Sequence, residues 1–574
     1  MRAGIFREVF LCTVLGASIG LIMAVVANGF VLGVEYGRTL RNSVSIISIQ
    51  VDGVDYSLTP VIVLLFVALL VLRLKALLGI NAWAGPADSI YAAHNPRKPL
   101  NLKVGFSSTF VAFLCASGGA SVGQYGPLVH FGATMGAAFK RVLKSTIAQD
   151  VWLGSGVAAA ISAGFNAPLA GVIFAHEAII RHFSLRAIVP IFIASVSANT
   201  FDQLLFPGTQ ATFLLHKPPP QVETMVVPLL LISPFLASLA TSFMASIRAL
   251  QRLSVRLNKS KVPAPLIAAL LCGTAGVFLP EILGIGGFVM NDILAGDYPL
   301  SMLVVLLAGK FIASAVCIGF GLFGGIFSPS LFLGVAAGAL MGQLVMLLGY
   351  SGLAEPLSIA AMAAVSSAVV GAPVACIVIV MELTRSYEHA IASMLAVIVC
   401  NLIAHRLNKG SFFDRQLLDR GINIHSGREA IMLAETSIGE FVRPGCLMLG
   451  PQISGNDALG QMASKKVTEA YVCDDSGGLL GKLSLFQAGK IGESTIDCCI
   501  DRDPIKLFSD DSIAVAMEKA SRFIGESMPV LSRESGMLLG AITEGALFQA
   551  VLSVQREAKS LECNESSVTQ VVAR

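Results

Sequence analysis

Charge is what this 574-residue chain has least of. Asp, Glu, Lys and Arg together make up 13% of it, against ~25% in an average soluble domain. With 55% hydrophobic residues and a mean hydropathy of +0.75, a water-soluble globular protein is excluded and a polytopic membrane protein remains. The net charge is only +3 and is dispersed over the loops, which excludes nucleic acid as a partner. Cys-x-x-Cys spacing is absent, so the cysteines, scattered through apolar runs (Cys12, Cys115, Cys272, Cys317, Cys400) and the C-terminal region (Cys473, Cys498, Cys499), read as small buried residues in reducing surroundings, not as a framework or metal set. A cleavable leader is not expected, because the apolar run after Arg7 outlasts the ~7–15 residues of a signal peptide and should remain as the first membrane helix.

Long apolar segments lie near 9–35, 57–80, 104–119, 185–200, 225–250, 263–280, 301–320 and 389–406. Near residue 407 the composition changes to ordinary globular alternation. The expected organisation is a membrane domain over 1–407, a linker over 408–430, a soluble α/β region over 431–560 and a flexible tail over 561–574. Arg2 and Arg7 precede the first helix, and His405, Arg406, Lys409, Arg415 and Arg420 follow the last. Basic flanks of this kind place both termini in the cytoplasm of a multi-pass protein of the cell (inner) membrane.

Other apolar runs (127–143, 151–163, 169–182, 328–349, 373–385) are interrupted by Gly or Pro, and many fall short of the ~20 residues a perpendicular span needs. Broken helices survive at membrane depth only where protein or a water-filled path surrounds them. Two of these runs repeat. "GQYGPLVHFGATMG" (123–136) and "GIFSPSLFLGVAAG" (325–338) share Gly, Pro, Gly and Gly at the same spacing. "GFNAPLAGVIFAHE" (164–177) matches "VVGAPVACIVIVME" (369–382), pairing Ala167-Pro168 with Ala372-Pro373 and Glu177 with Glu382. Two ordered matches about 200 residues apart imply duplicated halves around a central binding site. A Gly-x-x-x-Pro break presents a helix N-terminus, whose unpaired amides and positive dipole end favour an anion without binding it too tightly to release it.

These stretches, with "KFIASAVCIGFGLFGGIFSPSLFLG" and "SFFDRQLLDRG", resemble the CLC family of chloride channels and proton/chloride antiporters over nearly the whole membrane domain. The resemblance implies an all-α membrane domain of two inverted repeats, a homodimer in the lipid bilayer with one pathway per subunit, and chloride as the passing ion. It implies anion ligation around Gly123, Gln124, Tyr125 and Gly126 and by Gly325, Ile326 and Phe327, with no cofactor.

The chain departs from the family at the residues that carry protons. Where the family usually reads Gly-Arg-Glu-Gly-Pro, this sequence has Gly123-Gln124-Tyr125-Gly126-Pro127, so the gate position is Tyr125. A phenol, with an ordinary pKa of about 10, neither mimics a bound anion nor carries a proton near neutrality. The inner proton glutamate is replaced by Ala178, and the pore tyrosine by Phe413. The first filter motif, usually Gly-Ser-Gly-Ile-Pro, corresponds to "WAGPADS" (83–89), so Ala84 or Pro86 stands where a serine would touch chloride. Glu177 and Glu382, in matching positions of the two halves, read as structural, hydrogen-bonding to broken-helix amides, with ion-pathway acids as the alternative. "HEAIIRH" is not a zinc site, because His182 lies six residues after His176 and not four.

In the C-terminal region, "AYVCDDSGGLLGKLSL" (470–485) and "SMPVLSRESGMLLGAITE" (527–544) each follow an amphipathic helix, near 455–465 and 511–521. The pattern resembles a CBS pair, in which a Gly-x-x-Ser/Thr-x-x-Asp run contacts adenine nucleotides. Ser484 and Thr543 hold the hydroxyl positions, but Gln487 and Ala546 replace the aspartates. Nucleotide binding is therefore not expected. The functional expectation is passive chloride conduction. The alternatives are an antiporter with a different proton route and, remotely, a membrane-embedded hydrolase, for which no nucleophile–base pair is evident.

Overall fold

The computed structural model describes residues 2–51, 54–95, 97–143, 147–183, 185–207, 221–347, 349–350 and 352–572. They form two compact units, Met1–Ile422 and Asn423–Arg574. In the first unit, seven helices among the described residues are long and apolar enough to cross a membrane: Thr13–Ser43, Thr59–Leu78, Ala187–Leu205, Val222–Lys259, Leu300–Gly319, Phe327–Met346 and Tyr387–Leu418. Between them lie shorter apolar helices, including Leu102–Ser117, Ala264–Phe278, Ala354–Val370 and Pro373–Thr384. A short antiparallel pair, Ser48–Val51 with Val54–Ser57, had no signal in the sequence reading.

The duplication is visible in the backbone. Helix Tyr125–Leu143 packs on Gln149–Phe165, and Phe327–Met346 packs on Ala354–Val370. The repeated glycines make these contacts. A Cβ on Gly132 would lie 2.1 Å from the Gly156 carbonyl oxygen, and one on Gly136 2.0 Å from that of Trp152. In the second half, Gly334 and Gly338 meet the backbone at Met362 and Ser358, each at 2.5 Å. Small residues are what allow two membrane helices to touch backbone to backbone. After each pair the chain turns through a left-handed residue, Asn166 or Gly371, and an alanine before a proline-initiated helix, Pro168–Phe174 or Pro373–Thr384.

The boundary of the membrane unit lies beyond the composition change at 407. Helix Phe412–Leu418 belongs to it, opened by a Ser411/Asp414 capping box. Ion pairs tie the segment back: Arg181 with Asp414, Arg248 with Asp419 at 2.9 Å and Arg420 with Asp88 at 2.7 Å. The expected linker 408–430 is therefore divided between the units, since helix Gly427–Glu435 lies in the second. The last helix runs Glu544–Val572, through the start of the expected tail at 561.

The second unit holds two three-stranded sheets of the same design: Met448–Leu449, Glu469–Cys473, Leu479–Ser484, and Leu507–Phe508, Ser527–Leu531, Leu538–Thr543. In each, the first pair is parallel and the second antiparallel, with a bulge at the matching place, Val472/Cys473 and Val530/Leu531. Gly481 and Gly540 admit a crossing chain, with an added Cβ 2.5 Å from the Asp501 carbonyl oxygen and 2.6 Å from that of Arg443. Asp501 bridges to Lys482 and Arg443 to Ala541.

The helix contact yields a direct test. Gly156→Val forces two backbones apart, and overpacking of this kind costs ~1–3 kcal/mol or more. The variant should lose its monodisperse size-exclusion peak in detergent, whereas Gly460→Val, where a Cβ meets nothing within 4 Å, should keep it.

Candidate anion pathway

Gly123 and Gly325, equivalent residues of the two halves, exchange two backbone hydrogen bonds: Gly123 N–H donates to Gly325 O at 2.7 Å, and Gly325 N–H to Gly123 O at 2.6 Å. Reciprocal contacts between equivalent residues mark a pseudo-two-fold axis. The exchange brings the N-termini of helices Tyr125–Leu143 and Phe327–Met346 face to face. Only glycine fits, because a Cβ on Gly123 would lie 2.8 Å from Gly325 O and one on Gly325 2.8 Å from Gly126 N. Gln124 N–H donates to Ser328 Oγ at 3.2 Å. The N–H groups of Gly126, Ile326, Phe327 and Ser328 find no acceptor among the described residues. Unpaired buried amides at opposed helix N-termini are what a small anion satisfies.

Tyr125 and Phe327 hold the same position in the two repeats, and both rings point into one cluster. Tyr125, only 3% exposed, stacks on Phe165 with centroids 3.7 Å apart and planes at 16°. It meets Phe327 edge-on at 5.7 Å. Phe327 also contacts Phe165 at 5.5 Å and Phe174 at 6.2 Å. Gly164 makes room for the phenol, since a Cβ there would sit 3.1 Å from Tyr125 Cε1. Phe165 and Phe174 were not singled out in the sequence, although both lie within the repeated "GFNAPLAGVIFAHE" stretch.

The first filter segment reaches the same place but brings fewer amides. Pro86 Cγ lies 3.7 Å from a Cβ built on Gly126, so the start of helix Pro86–His94 abuts the second motif. The Gly85 N–H donates to Asp88 Oδ2 at 2.8 Å and the Ala84 N–H to Ser108 Oγ at 2.9 Å. Both amides are thus taken by side chains of the protein itself.

Glu177 and Glu382 form the second reciprocal set. The Glu177 carboxylate accepts the N–H groups of Val374 (3.0 Å) and Ala375 (2.7 Å), and Glu382 accepts those of Leu169 (3.0 Å) and Ala170 (2.8 Å). Each acid caps the proline-initiated helix of the other half, in keeping with a structural role. From Glu177 to Arg181 there is one residue more than from Glu382 to Arg385, although both arginines end their helices in the left-handed conformation. A π-helical turn, Ala175–Ile180, absorbs the extra residue, as π-bulges do. Ala178 lies in this turn, buried. His176 lies there too, its Nδ1 bonded to Val172 O at 2.9 Å and its ring stacked on Phe183 at 5.1 Å. Its Nε2 has no partner among the described residues.

Phe413 is buried on helix Phe412–Leu418, where its ring meets Phe412 edge-on at 6.0 Å. It makes no ring contact with the four-ring cluster among the described residues. In the second unit, Ser484 and Thr543 are spent on helix caps, accepting the N–H groups of Gln487 and Ala546. Gln487 completes a capping box with Ser484, which accounts for a glutamine in place of an aspartate. The two sheets are joined by a buried group: Lys482 pairs with Glu469 at 2.7 Å and donates to Ser527 O at 2.9 Å. The Glu469 carboxylate also accepts the Glu526 and Ser527 N–H groups, and the Tyr471 hydroxyl pairs with Ser527 Oγ at 2.6 Å.

The crossed caps predict a matched pair of stability losses. Glu177→Gln and Glu382→Gln each replace two charge-assisted bonds, worth ~1.5–3 kcal/mol apiece, with weaker neutral ones. Each variant should unfold at lower temperature in detergent by a similar amount, measured by intrinsic fluorescence.

A model of the family described as "Voltage gated chloride channel" matches residues 63–405, more than half of the chain. The H(+)/Cl(-) exchange transporter ClcA of Vibrio vulnificus (strain YJ016) is 29% identical over 316 residues, covering 53% of this chain and 67% of that protein. In architecture the chain is similar to a slow cyanobacterial Cl-/H+ antiporter, with a TM-score of 0.64 at 21% identity over 71% of this chain and 97% of the other. It is likewise similar to a eukaryotic CLC transporter, with a TM-score of 0.61 at 19% identity over 94% of this chain and 98% of the other. The matched stretch contains both opposed helix N-termini and both crossed glutamates: this chain is a multi-pass membrane protein of the voltage-gated chloride channel (CLC) family, a family of anion transporters.

Proposed function

We propose that the protein conducts chloride, or an anion of similar size, passively and without proton coupling. The observation that carries this reading is the neutral ring of Tyr125 at the N-terminus of a helix whose amides converge with those of Ile326 and Phe327. No carboxylate stands there to compete with the anion or to carry a proton, and Ala178 offers none on the inner side. Tyr125 gates by ring rotation. Leaving Phe165 and Phe327 forfeits aromatic contacts worth ~0.5–1.5 kcal/mol each, a barrier that ligand passage and thermal motion can overcome.

The working unit is a homodimer in the cell membrane, with both termini cytoplasmic and the pathways formed within each subunit. The crossed glutamates support the dimer, because Leu169 and Val374, whose amides they cap, are about half exposed. Carboxylates at membrane depth need cover from lipid. The C-terminal unit is a CBS pair with a structural role. Its open cleft of about 690 Å³ is lined by Thr468, Glu469, Ser484 and Lys490 among others, and its one carboxylate is already paired with Lys482.

A second reading, proton-coupled exchange by a different inner route, is favoured by His176. This imidazole is two residues from Ala178 in the π turn and keeps an unpartnered Nε2 among the described residues. Its relatives named as exchangers give that reading its weight. One measurement separates the two. In liposomes loaded with chloride and clamped with potassium and valinomycin, passive conduction releases chloride with no linked change in external pH. Uphill proton movement tied to chloride flux, abolished in His176→Ala, establishes exchange instead.

Variants at the gate complete the test. Tyr125→Ala should raise chloride flux, and Tyr125→Phe should keep the parent's rate and alter anion preference. Tyr125→Glu should make flux pH-dependent over about 4 to 8, a window that takes in the ordinary glutamate pKa of about 4.3, without restoring coupling. If all three conduct like the parent at every pH, Tyr125 is not the gate. For the C-terminal unit, calorimetry with ATP, ADP and AMP should show no heat of binding, and micromolar affinity would refute the structural role.

A further inference from the structure

The C-terminal unit carries a pair of adjacent cysteines, Cys498 and Cys499, that neither the anion pathway nor the sheets use. Both are exposed. Cys115, Cys272, Cys317, Cys376, Cys400 and Cys473 are buried, and Cys446 is half-buried. The two side chains lie on the same side of a tight turn, with their sulfurs 3.7 Å apart. The Cys498 thiol is also held against the Thr495 carbonyl at 3.1 Å. The turn is fixed at both ends. Cys499 N–H donates to Ile496 O at 3.1 Å, Ile496 is fully buried in the core of the first sheet, and Asp501 exchanges backbone hydrogen bonds with Lys482.

Such a spacing suits a chelate. Two sulfurs each bonded at about 2.3 Å to one pyramidal trivalent centre, at a bond angle of about 95°, stand about 3.4 Å apart, so the two thiols close on it with a shift of only a few tenths of an ångström. No set of three or more metal-ligating side chains occurs among the described residues, so a centre needing four protein ligands is not held here. Two thiols at this spacing suffice only for a centre that takes two ligands from the protein. We propose that Cys498 and Cys499 form a two-thiol capture site for a thiophilic centre of this kind, a monosubstituted trivalent arsenical being the species that matches it in full.

The reaction balances without an oxidant. Two S–H bonds and the arsenic–oxygen bond of R–As=O break, two As–S bonds form, and both protons leave with the oxygen as one water. Arsenic stays trivalent. The pair is less suited to sensing peroxide, since that attack needs a thiolate. The Cys498 sulfur holds the Cys499 thiol above the ordinary cysteine range, and the nearby Lys490 only partly offsets this.

The test uses the full-length protein in detergent with one equivalent of phenylarsine oxide, read by intact mass. The wild type should bind one arsenical, resist excess 2-mercaptoethanol and release it to 2,3-dimercaptopropanol. Cys498→Ser and Cys499→Ser should each reduce capture at least tenfold, because one thiol cannot close the chelate, while Cys446→Ser should bind as the wild type does. Peptide mapping should place the adduct on the segment containing both cysteines. Failure of the wild type to bind, an adduct that survives in either serine variant, or release by the monothiol would each overturn the proposal.

Discussion

Everything in the membrane unit is arranged around two hydrogen bonds between Gly123 and Gly325. Each helix N-terminus carries roughly half a positive charge, so bringing two together is unfavourable unless something holds them and something negative sits between. The reciprocal backbone pair does the holding. It requires glycine on both sides, and it leaves the next amides, at Gly126, Ile326 and Phe327, without acceptors among the described residues. In the proposed pathway anion affinity therefore comes from partial charges, with no lysine or arginine at the point of convergence among the described residues. That suits an ion which has to leave again.

The same two-fold logic governs the supports. The glycine ridges of both halves set the distance between each broken helix and the next. The crossed carboxylates of Glu177 and Glu382 cap the returning helices of the opposite half. Where the halves differ, the difference is local. Tyr125 faces Phe327, and a π turn around Ala178 takes up one extra residue that the second half lacks. The symmetric parts hold the scaffold, and the asymmetric parts fall at the positions proposed to line the route.

Much of this was legible in the sequence because glycine, proline and short helix lengths leave periodic marks. The repeated Gly-Pro-Gly-Gly spacing located both helix N-termini, and the Glu177/Glu382 correspondence pointed to two matched acids, which the structure shows bonded to helix amides of the opposite half. The limits of the membrane unit were less legible. Composition changes at 407, but helix Phe412–Leu418 is kept in the first unit by ion pairs to residues hundreds of positions away. Hydropathy carries no trace of them.

The sequence by itself determined the class, the duplication, the family resemblance and the absence of a carboxylate at positions 125 and 178, since these depend on residue identity and spacing alone. Only the tertiary structure decided that Phe165 and Phe327 enclose Tyr125 with Phe174 against Phe327, that the Ala84 and Gly85 amides are already taken, and that Phe413 makes no ring contact with this cluster among the described residues. It also decided that one extra residue becomes a π turn. Such facts are set by which segments meet across the pseudo-two-fold axis, and a contact between residues 40 or 200 positions apart depends on packing that no local pattern encodes.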